Sequence, residues 1–342
     1  MRTVKTVLYG VGAVGSLIAR FLLQKEGIEI VGAIDVAQEK VGRDLGEILG
    51  TGGPIGIKVS NDTHGVLTKT KPDIVIHATS SYLKEVFSQL QEIVRHGVDV
   101  VSTCEELSYP SLTEPQLAYK LDRLAKRNKA TVLGTGINPG FLMDTLVITL
   151  TAPCQKIERV KAVRVMNAAT RRVPFQKKIG AGLSKESFYK AIEERRITGH
   201  VGLGQSIAMI AAALGWKLER IEASAIEPVI AQKAVKSKAI KVKAGNVAGL
   251  RQIARGYKKG IEAITLDFQA YIGAGEEYDS VTIEGVPCIN QRITPCVHGD
   301  IGTIAMVVNA IPRVINAPSG LLTMKDLPVP SAVTESIVAY LH

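Results

Sequence analysis

Gly10, Gly12 and Gly15, with Ala13 and Val14 between the last two, have the spacing that brings a main chain against a pyrophosphate. The first glycine makes a tight turn, the second lets the backbone approach the phosphates, and the third lets a helix pack on the preceding strand. Free N–H groups and the positive end of that helix then face the anion. Asp35 ends the next apolar run, Ile28 to Ile34, where a carboxylate can bind both hydroxyls of the adenosine ribose. No arginine follows it at once to take a 2′-phosphate, so NAD is favoured; Lys40 and Arg43 are near enough in sequence to leave NADP as an alternative. A ligand-free glycine turn, with Asp35 as a helix cap, is the competing interpretation. The order strand, glycines, helix, strand, acid weighs against it.

Other segments gather polar and flexible residues at points where strands should end. Ala78, Thr79 and Ser80 are suited to cradle ribose and phosphate, or to cap the helix that follows. Ser102 and Thr103 lead into Glu105 and Glu106. A carboxylate there could hold an ammonium group and take protons from an amine or an attacking water. Adjacent side chains project differently, so at most one of the pair addresses a substrate; a surface pair with no role is the alternative. The loop Gly134 to Phe141 offers Asn138 and Gly140 to a nicotinamide ring, unless it is only a turn with Pro139 opening a helix. Arg171 and Arg172 are planar bidentate donors, joined by Gln176, Lys177 and Lys178, and as a cluster they suit a substrate carboxylate better than any one of them does alone. His200, with Gln205 and Ser206, opens a long helix and either lines the site or serves a turn. Asp300 reads as a cap for the last helix, and His298 before it is given no catalytic role.

The elements that must position these residues follow from periodicity. Val4–Tyr9, Ile28–Ile34, Ile57–Val59, Asp73–His77, Val98–Ser102 and Thr131–Leu133 read as strands separated by helices such as Tyr82–His96 and Glu114–Arg127. That alternation predicts an α/β fold with a Rossmann-type doubly wound parallel sheet over residues 1–147. Beyond it, Ile157–Val165, Ile221–Ala231, Ile240–Val247, Gln252–Lys258, Ile261–Tyr271 and Ser280–Thr294 alternate apolar and polar with few helices between them, apart from Gly204–Leu214. They predict a second α+β domain, residues 148–299, with a mixed or antiparallel sheet for substrate binding and dimerisation. The helical segment Gly302–Ile315 and the rest of 300–342 are expected to return to the first domain, leaving the substrate in a cleft.

At 342 residues the chain has room for two cores, and its 46% hydrophobic and 22% charged composition is that of a globular protein. Met1-Arg2-Thr3-Val4 runs directly into the first strand without a leader pattern, and no apolar run reaches spanning length, which together predict a cytoplasmic protein with no membrane partner. Cys104, Cys154, Cys288 and Cys296 have neither metal-ligand spacing nor a disulfide pattern, so no metal is expected. The net charge of +10 invites nucleic acid as a partner. With 5% aromatic residues there are few stacking platforms, and acidic small molecules fit the field better.

The strings Thr103-Cys104-Glu105-Glu106-Leu107, Leu133 to Phe141, Arg171 to Gly180, Gly199-His200-Val201-Gly202 and Val308-Asn309-Ala310-Ile311-Pro312 together resemble the 2,4-diaminopentanoate dehydrogenase family. That family is related to native amine dehydrogenases and more distantly to dihydrodipicolinate reductase. The resemblance implies reversible oxidative deamination of a diamino acid to 2-amino-4-oxopentanoate and ammonia, a step of ornithine breakdown. It also implies that a glutamate of the Glu-Glu pair, Glu105 before Glu106, engages the reacting amine. Some relatives carry arginines after the second strand and use NADP, so Asp35 is a departure toward NAD. Alternatives are deamination of simple amines, reduction of a cyclic imine, and, from another class, a catalytically silent dinucleotide sensor. A homodimer formed through the second sheet is expected.

Overall fold

Val4–Tyr9 (β1) and Ile28–Ile34 (β2) are apolar on most residues, as strands covered on both faces must be, and they pair in parallel from Val4↔Ile28 to Tyr9↔Ile34. The computed structural model describes residues 3–342; Met1 and Arg2, the start of the segment expected to lead straight into β1, lie outside them. Helices α1 (Ala13–Leu22), α2 (Leu45–Leu49), α3 (Thr63–Thr70), α4 (Leu83–Arg95) and α5 (Pro115–Asn128) alternate with β3 (Val59–Ser60), β4 (Ile74–His77), β5 (Asp99–Ser102) and β6 (Thr131–Gly134). The chain's last strand, Gly320–Leu322, pairs in parallel with β6, so the sheet runs last strand, β6, β5, β4, β1, β2, β3. The order reverses between β1 and β4, the point at which such sheets open a ligand crevice beyond the strands' carboxyl ends.

Helix α4 shows why this layer holds. Leu83, Val86, Leu90, Ile93 and Val94 recur at helical spacing and are fully buried in one cluster with Val75, Val100 and Val132. The start of β3 differs from the sequence pattern. Ile57 lies before the strand, its carbonyl accepting the Leu45 N–H at 2.7 Å.

Residues up to Phe141 and Ile301–His342 form one compact unit, and Leu142–Asp300 forms another. The second contains α6 (Thr145–Thr151), β7 (Lys156–Asn167), α7 (Val173–Lys178), α8 (Lys185–Glu193) and α9 (Leu203–Ala213), then β8 (Arg220–Ala223), β9 (Glu227–Ile230), β10 (Val235–Lys236), β11 (Lys241–Val242), β12 (Val247–Lys258), β13 (Ile261–Tyr271), β14 (Tyr278–Val286) and β15 (Ile289–Ile293). Its main sheet has the order β15, β14, β7, β13, β12, β8, with β9 also on β12. Only β7 and β13 pair in parallel, so the sheet is mixed, and α9 packs on it.

Three strands expected to be single are divided. Ile221–Ala231 is β8 plus β9, separated where Ser224 exchanges hydrogen bonds with the backbone of Ile253. Ser280–Thr294 is a hairpin, its turn taken by Pro287, which cannot donate to a ladder. Ile240–Val247 splits between β11, which ends at Val242, and β12, which begins at Val247, with Gly245 at φ 84° in the turn between them; the lysine-rich stretch is a separate two-stranded ribbon of β10 and β11.

Candidate functional site

The three glycines have different reasons to be glycine. A Cβ on Gly10 would lie 2.4 Å from the Ala78 carbonyl oxygen, and one on Gly15 would lie 1.9 Å from the Gly10 oxygen. Both are demanded by packing. Gly12 has φ −82°, open to any residue, and a Cβ there would meet no protein atom within 4 Å. Nothing in the fold requires glycine at that point, and its open face leaves room for a molecule to approach the backbone there. Gly12 is also the N-cap of α1, which has no side-chain cap, leaving its first amides for an anion.

Asp35 is largely buried at the end of β2. Its carboxylate accepts hydrogen bonds from the Val11 amide at 2.8 Å and the Ala37 amide at 2.9 Å, and pairs with Lys40 Nζ at 3.0 Å. Burial opposes its charge, but the Ala37 amide, Lys40 and the Val11 amide outweigh burial and hold the carboxyl below its usual range. A ribose would therefore meet an ionised acceptor that already has a lysine beside it. The lysine's place was visible in the sequence only as proximity.

The two segments beyond β4 and β5 are knitted together. The Ala78 amide donates to the Tyr9 carbonyl, the Thr103 amide to the His77 carbonyl, and the Glu106 amide to the Ser81 carbonyl. Glu106 Oε2 in turn accepts from the Leu83 amide at 2.8 Å, serving as a cap for the N-terminus of α4. Glu105, next to it in the same 3-10 turn, is partly exposed, and its carboxylate has no hydrogen-bond or ion-pair partner among the described residues. The pair is thus divided into one structural and one unengaged carboxylate. Ser80 is bonded to Glu85, and Thr79 Oγ1 donates to Gln89 Oε1. Ser102 is fully buried and its hydroxyl is spent on His77 and the Cys104 amide, so its side chain supports the site from behind instead of meeting a cofactor directly.

After β6 the chain makes a glycine-lined turn. Gly140 has φ 133°, and a Cβ there would lie 2.4 Å from the Gly136 nitrogen. The Asn138 side chain has both amide atoms buried and unpaired, a costly condition that an incoming amide such as nicotinamide would relieve. Together with the open face of Gly12, this orphaned amide shows that the residues present fit a dinucleotide.

In the second unit, Arg171 is held by Asp300 through two contacts, Nη2 to Oδ1 at 2.9 Å and Nε to Oδ2 at 3.2 Å, and its guanidinium lies 4.3 Å from the Phe175 ring centroid. Arg172 Nε comes within 3.4 Å of Asp300 Oδ1 as an ion pair but has no hydrogen-bond partner among the described residues. Of the two arginines, Arg172 is the one with donors to spare. Gln176 is 2% exposed, with its amide donating to the Arg171 carbonyl and accepting from Ser237, so it locks α7 to the preceding turn. His200 stacks on Phe268 at 4.3 Å and 8°; burial, then Lys178, Arg164 and Arg171, push its pKa down to about 3, which makes it a neutral ring. Asp300, expected only as a cap, is the residue whose role was missed; an acid opening a helix carries no sign of the arginines it will hold.

Among the described residues no group of three or more His, Cys, Asp or Glu could hold a metal ion, and no helix is long and apolar enough to cross a membrane. An open glycine turn on a doubly wound sheet, with an acid ending the second strand, is the pattern of the NAD(P)-dependent oxidoreductases, and the chain is one of them. Residues 141–342 match the 2,4-diaminopentanoate dehydrogenase C-terminal domain, and residues 4–106 match the N-terminus of dihydrodipicolinate reductase. A 2,4-diaminopentanoate dehydrogenase of Acetoanaerobium sticklandii is 40% identical over 97% of this chain and 96% of its own. The structure of an amine dehydrogenase from Mycobacterium smegmatis superposes with a TM-score of 0.84 at 32% identity, covering 97% of this chain and 98% of that one. A dehydrogenase from Bordetella pertussis, solved with NADH and UDP-GlcNAcA, shares the fold at a TM-score of 0.54 and 13% identity, over 95% and 93% of the two chains. The chain belongs to the 2,4-diaminopentanoate dehydrogenase family.

Proposed function

We propose that the protein oxidatively deaminates 2,4-diaminopentanoate with NAD, giving 2-amino-4-oxopentanoate and ammonia, reversibly, as a step of ornithine breakdown. The family supports the substrate, and the unengaged Glu105 carboxylate beside a committed Glu106 is the observation that supports the chemistry. The bound dinucleotide supplies the two-electron acceptor. Glu105 holds the C4 ammonium and takes its proton, so that the nitrogen lone pair can form an iminium as C4 loses hydride. Once that proton has passed to solvent, the Glu105 carboxylate deprotonates the water that adds to C4, gives this proton to the nitrogen, and takes the hydroxyl proton as the C–N bond breaks, passing it to the departing ammonia. Substrate, water and oxidised cofactor thus become ketone, ammonium, reduced cofactor and one proton. In the first unit Gly10, Gly12, Ala13, Val14 and Gly15 take the pyrophosphate, Asp35 the ribose, Ala78, Thr79 and Ser80 the strap beside it, and Asn138 and Gly140 the nicotinamide. In the second, Arg172 reads the substrate carboxylate and Arg171 with Asp300 orients it.

A homodimer, a cytoplasmic location and the assignment of dinucleotide binding and substrate binding to the two units belong to the same proposal. The reaction is tested by following reduced cofactor and ammonia together with 2,4-diaminopentanoate, a simple amine and a cyclic imine. Preference for the diamino acid supports the proposal. Equal turnover of the simple amine would favour the activity suggested by the amine dehydrogenase similarity, and nucleotide binding with no turnover would mark a sensor. Light scattering decides the dimer.

A further inference from the structure

His77 ends β4, in register with Tyr9 on one neighbouring strand and Ser102 on the other, and is fully buried in a run that is otherwise Ile-Val-Ile. An apolar residue would fill that place at lower cost, because an imidazole hidden from water must have both nitrogens satisfied. Both are. Nε2 lies 2.8 Å from Gln89 Oε1, an atom that can only accept, so Nε2 carries the proton. Nδ1 is then the acceptor for the Ser102 hydroxyl at 2.9 Å, and Ser102 Oγ accepts the Cys104 amide at 3.1 Å. On the other side Thr79 Oγ1 donates to Gln89 Oε1 at 2.8 Å and lies 3.0 Å from Nε2. Burial, against a smaller opposing effect of Gln89, pushes the imidazole pKa down to about 4, so the ring is uncharged at neutral pH, and its partners select the tautomer. Every donor in the chain from the Cys104 amide to Thr79 has its acceptor.

We propose that His77 is a positioning residue with two arms: through Ser102 it fixes the Cys104 amide and the turn that presents Glu105, and through Gln89 it fixes Thr79 beside the glycine cradle. The first arm rests on the proposed role of Glu105; the second needs only dinucleotide binding. Neither arm touches reacting atoms.

The test cuts the arms separately. His77→Phe keeps a ring to meet the Tyr9 edge, 5.5 Å away at 68°, but loses both hydrogen bonds. Ser102→Ala cuts the first arm and Gln89→Met the second. With all variants assayed well below their measured Tm, kcat should fall roughly ten- to hundredfold in Ser102→Ala, and the Kd for NAD should rise roughly tenfold in Gln89→Met, with both effects in His77→Phe. A folded His77→Phe with unchanged kcat and Kd overturns the proposal. So does a loss in His77→Phe that neither single-arm variant shares, which would mark a purely structural histidine. Glu105→Gln, measured alongside, keeps the two ideas apart: if it stays active, the glutamate chemistry fails while the NAD arm is still decided by Gln89→Met.

Discussion

Glu105 and Glu106 are adjacent in sequence, and the structure predicts opposite phenotypes for them. Glu106 Oε2 accepts the Leu83 amide at 2.8 Å at the N-terminus of α4, whose buried face anchors the first core. Losing such a cap costs about 1 kcal/mol, so Glu106→Ala should lower Tm by about 2 °C and leave most of the turnover. Glu105 makes no contact that its neutral amide would forfeit, so Glu105→Gln should melt with the wild type and bind NAD as well. Its turnover should fall roughly 10²- to 10⁴-fold, about 3–5.5 kcal/mol of barrier, which is what positioned acid–base assistance is worth. The assay is steady-state oxidation of 2,4-diaminopentanoate with NAD fluorescence titration and differential scanning calorimetry on the same preparations. An active Glu105→Gln paired with a dead but stable Glu106→Ala would refute the division of the pair and move the chemistry one residue along.

Gly12→Ala should fold normally, because its Cβ meets no protein atom within 4 Å, yet bind NAD far more weakly; Gly15→Ala should lose thermal stability in a melting scan, its Cβ lying 1.9 Å from a carbonyl oxygen. Asp35→Ser should lower kcat/KM for NAD relative to NADP, and Lys40→Met, removing the ammonium 3.0 Å from Asp35, should shift that ratio the other way; unchanged ratios would remove both from the ribose site. Arg172→Ala should raise KM for the diamino acid much more than for a simple amine, whereas Arg171→Ala should harm both substrates through the loss of its contacts to Asp300. Asp99 is half-buried near Asp73, and burial raises its pKa to about 6. The folded state therefore binds more protons than the unfolded state between about pH 4 and 6, stability contributed by this group falls as pH rises through that window, and Asp99→Asn should raise Tm at pH 7 while flattening the dependence.

The legible features were those whose requirement is local. Gly10, Gly12 and Gly15 must stand at fixed spacing because one turn performs all three tasks, and β1 and β2 begin and end where the sequence pattern places them because strands buried on both faces carry continuous apolar runs. The second sheet was legible in kind but not in its breaks. Alternation passes through Ser224 without interruption, and only the Ile253 backbone across the strand pair shows that the ladder is reset there.

Side-chain commitment is the part that no local pattern carries. The Leu83 amide that engages Glu106 is 23 residues away, and the Asp300 that holds Arg171 is 129 residues away. In both cases a partner from a distant segment makes hydrogen bonds with one of two identical neighbours and none with the other. For the arginines this follows from the energetics of burial: an ionised group near the core is tolerated only when paired, so the better buried of the two is drawn into structure. Arg171, with 9% of its side chain exposed, holds Asp300 through two hydrogen bonds, and Arg172, with 33% exposed, meets it only as a longer ion pair. A residue type announces what chemistry is available, but the fold, by satisfying one member of a pair, selects which copy remains reactive.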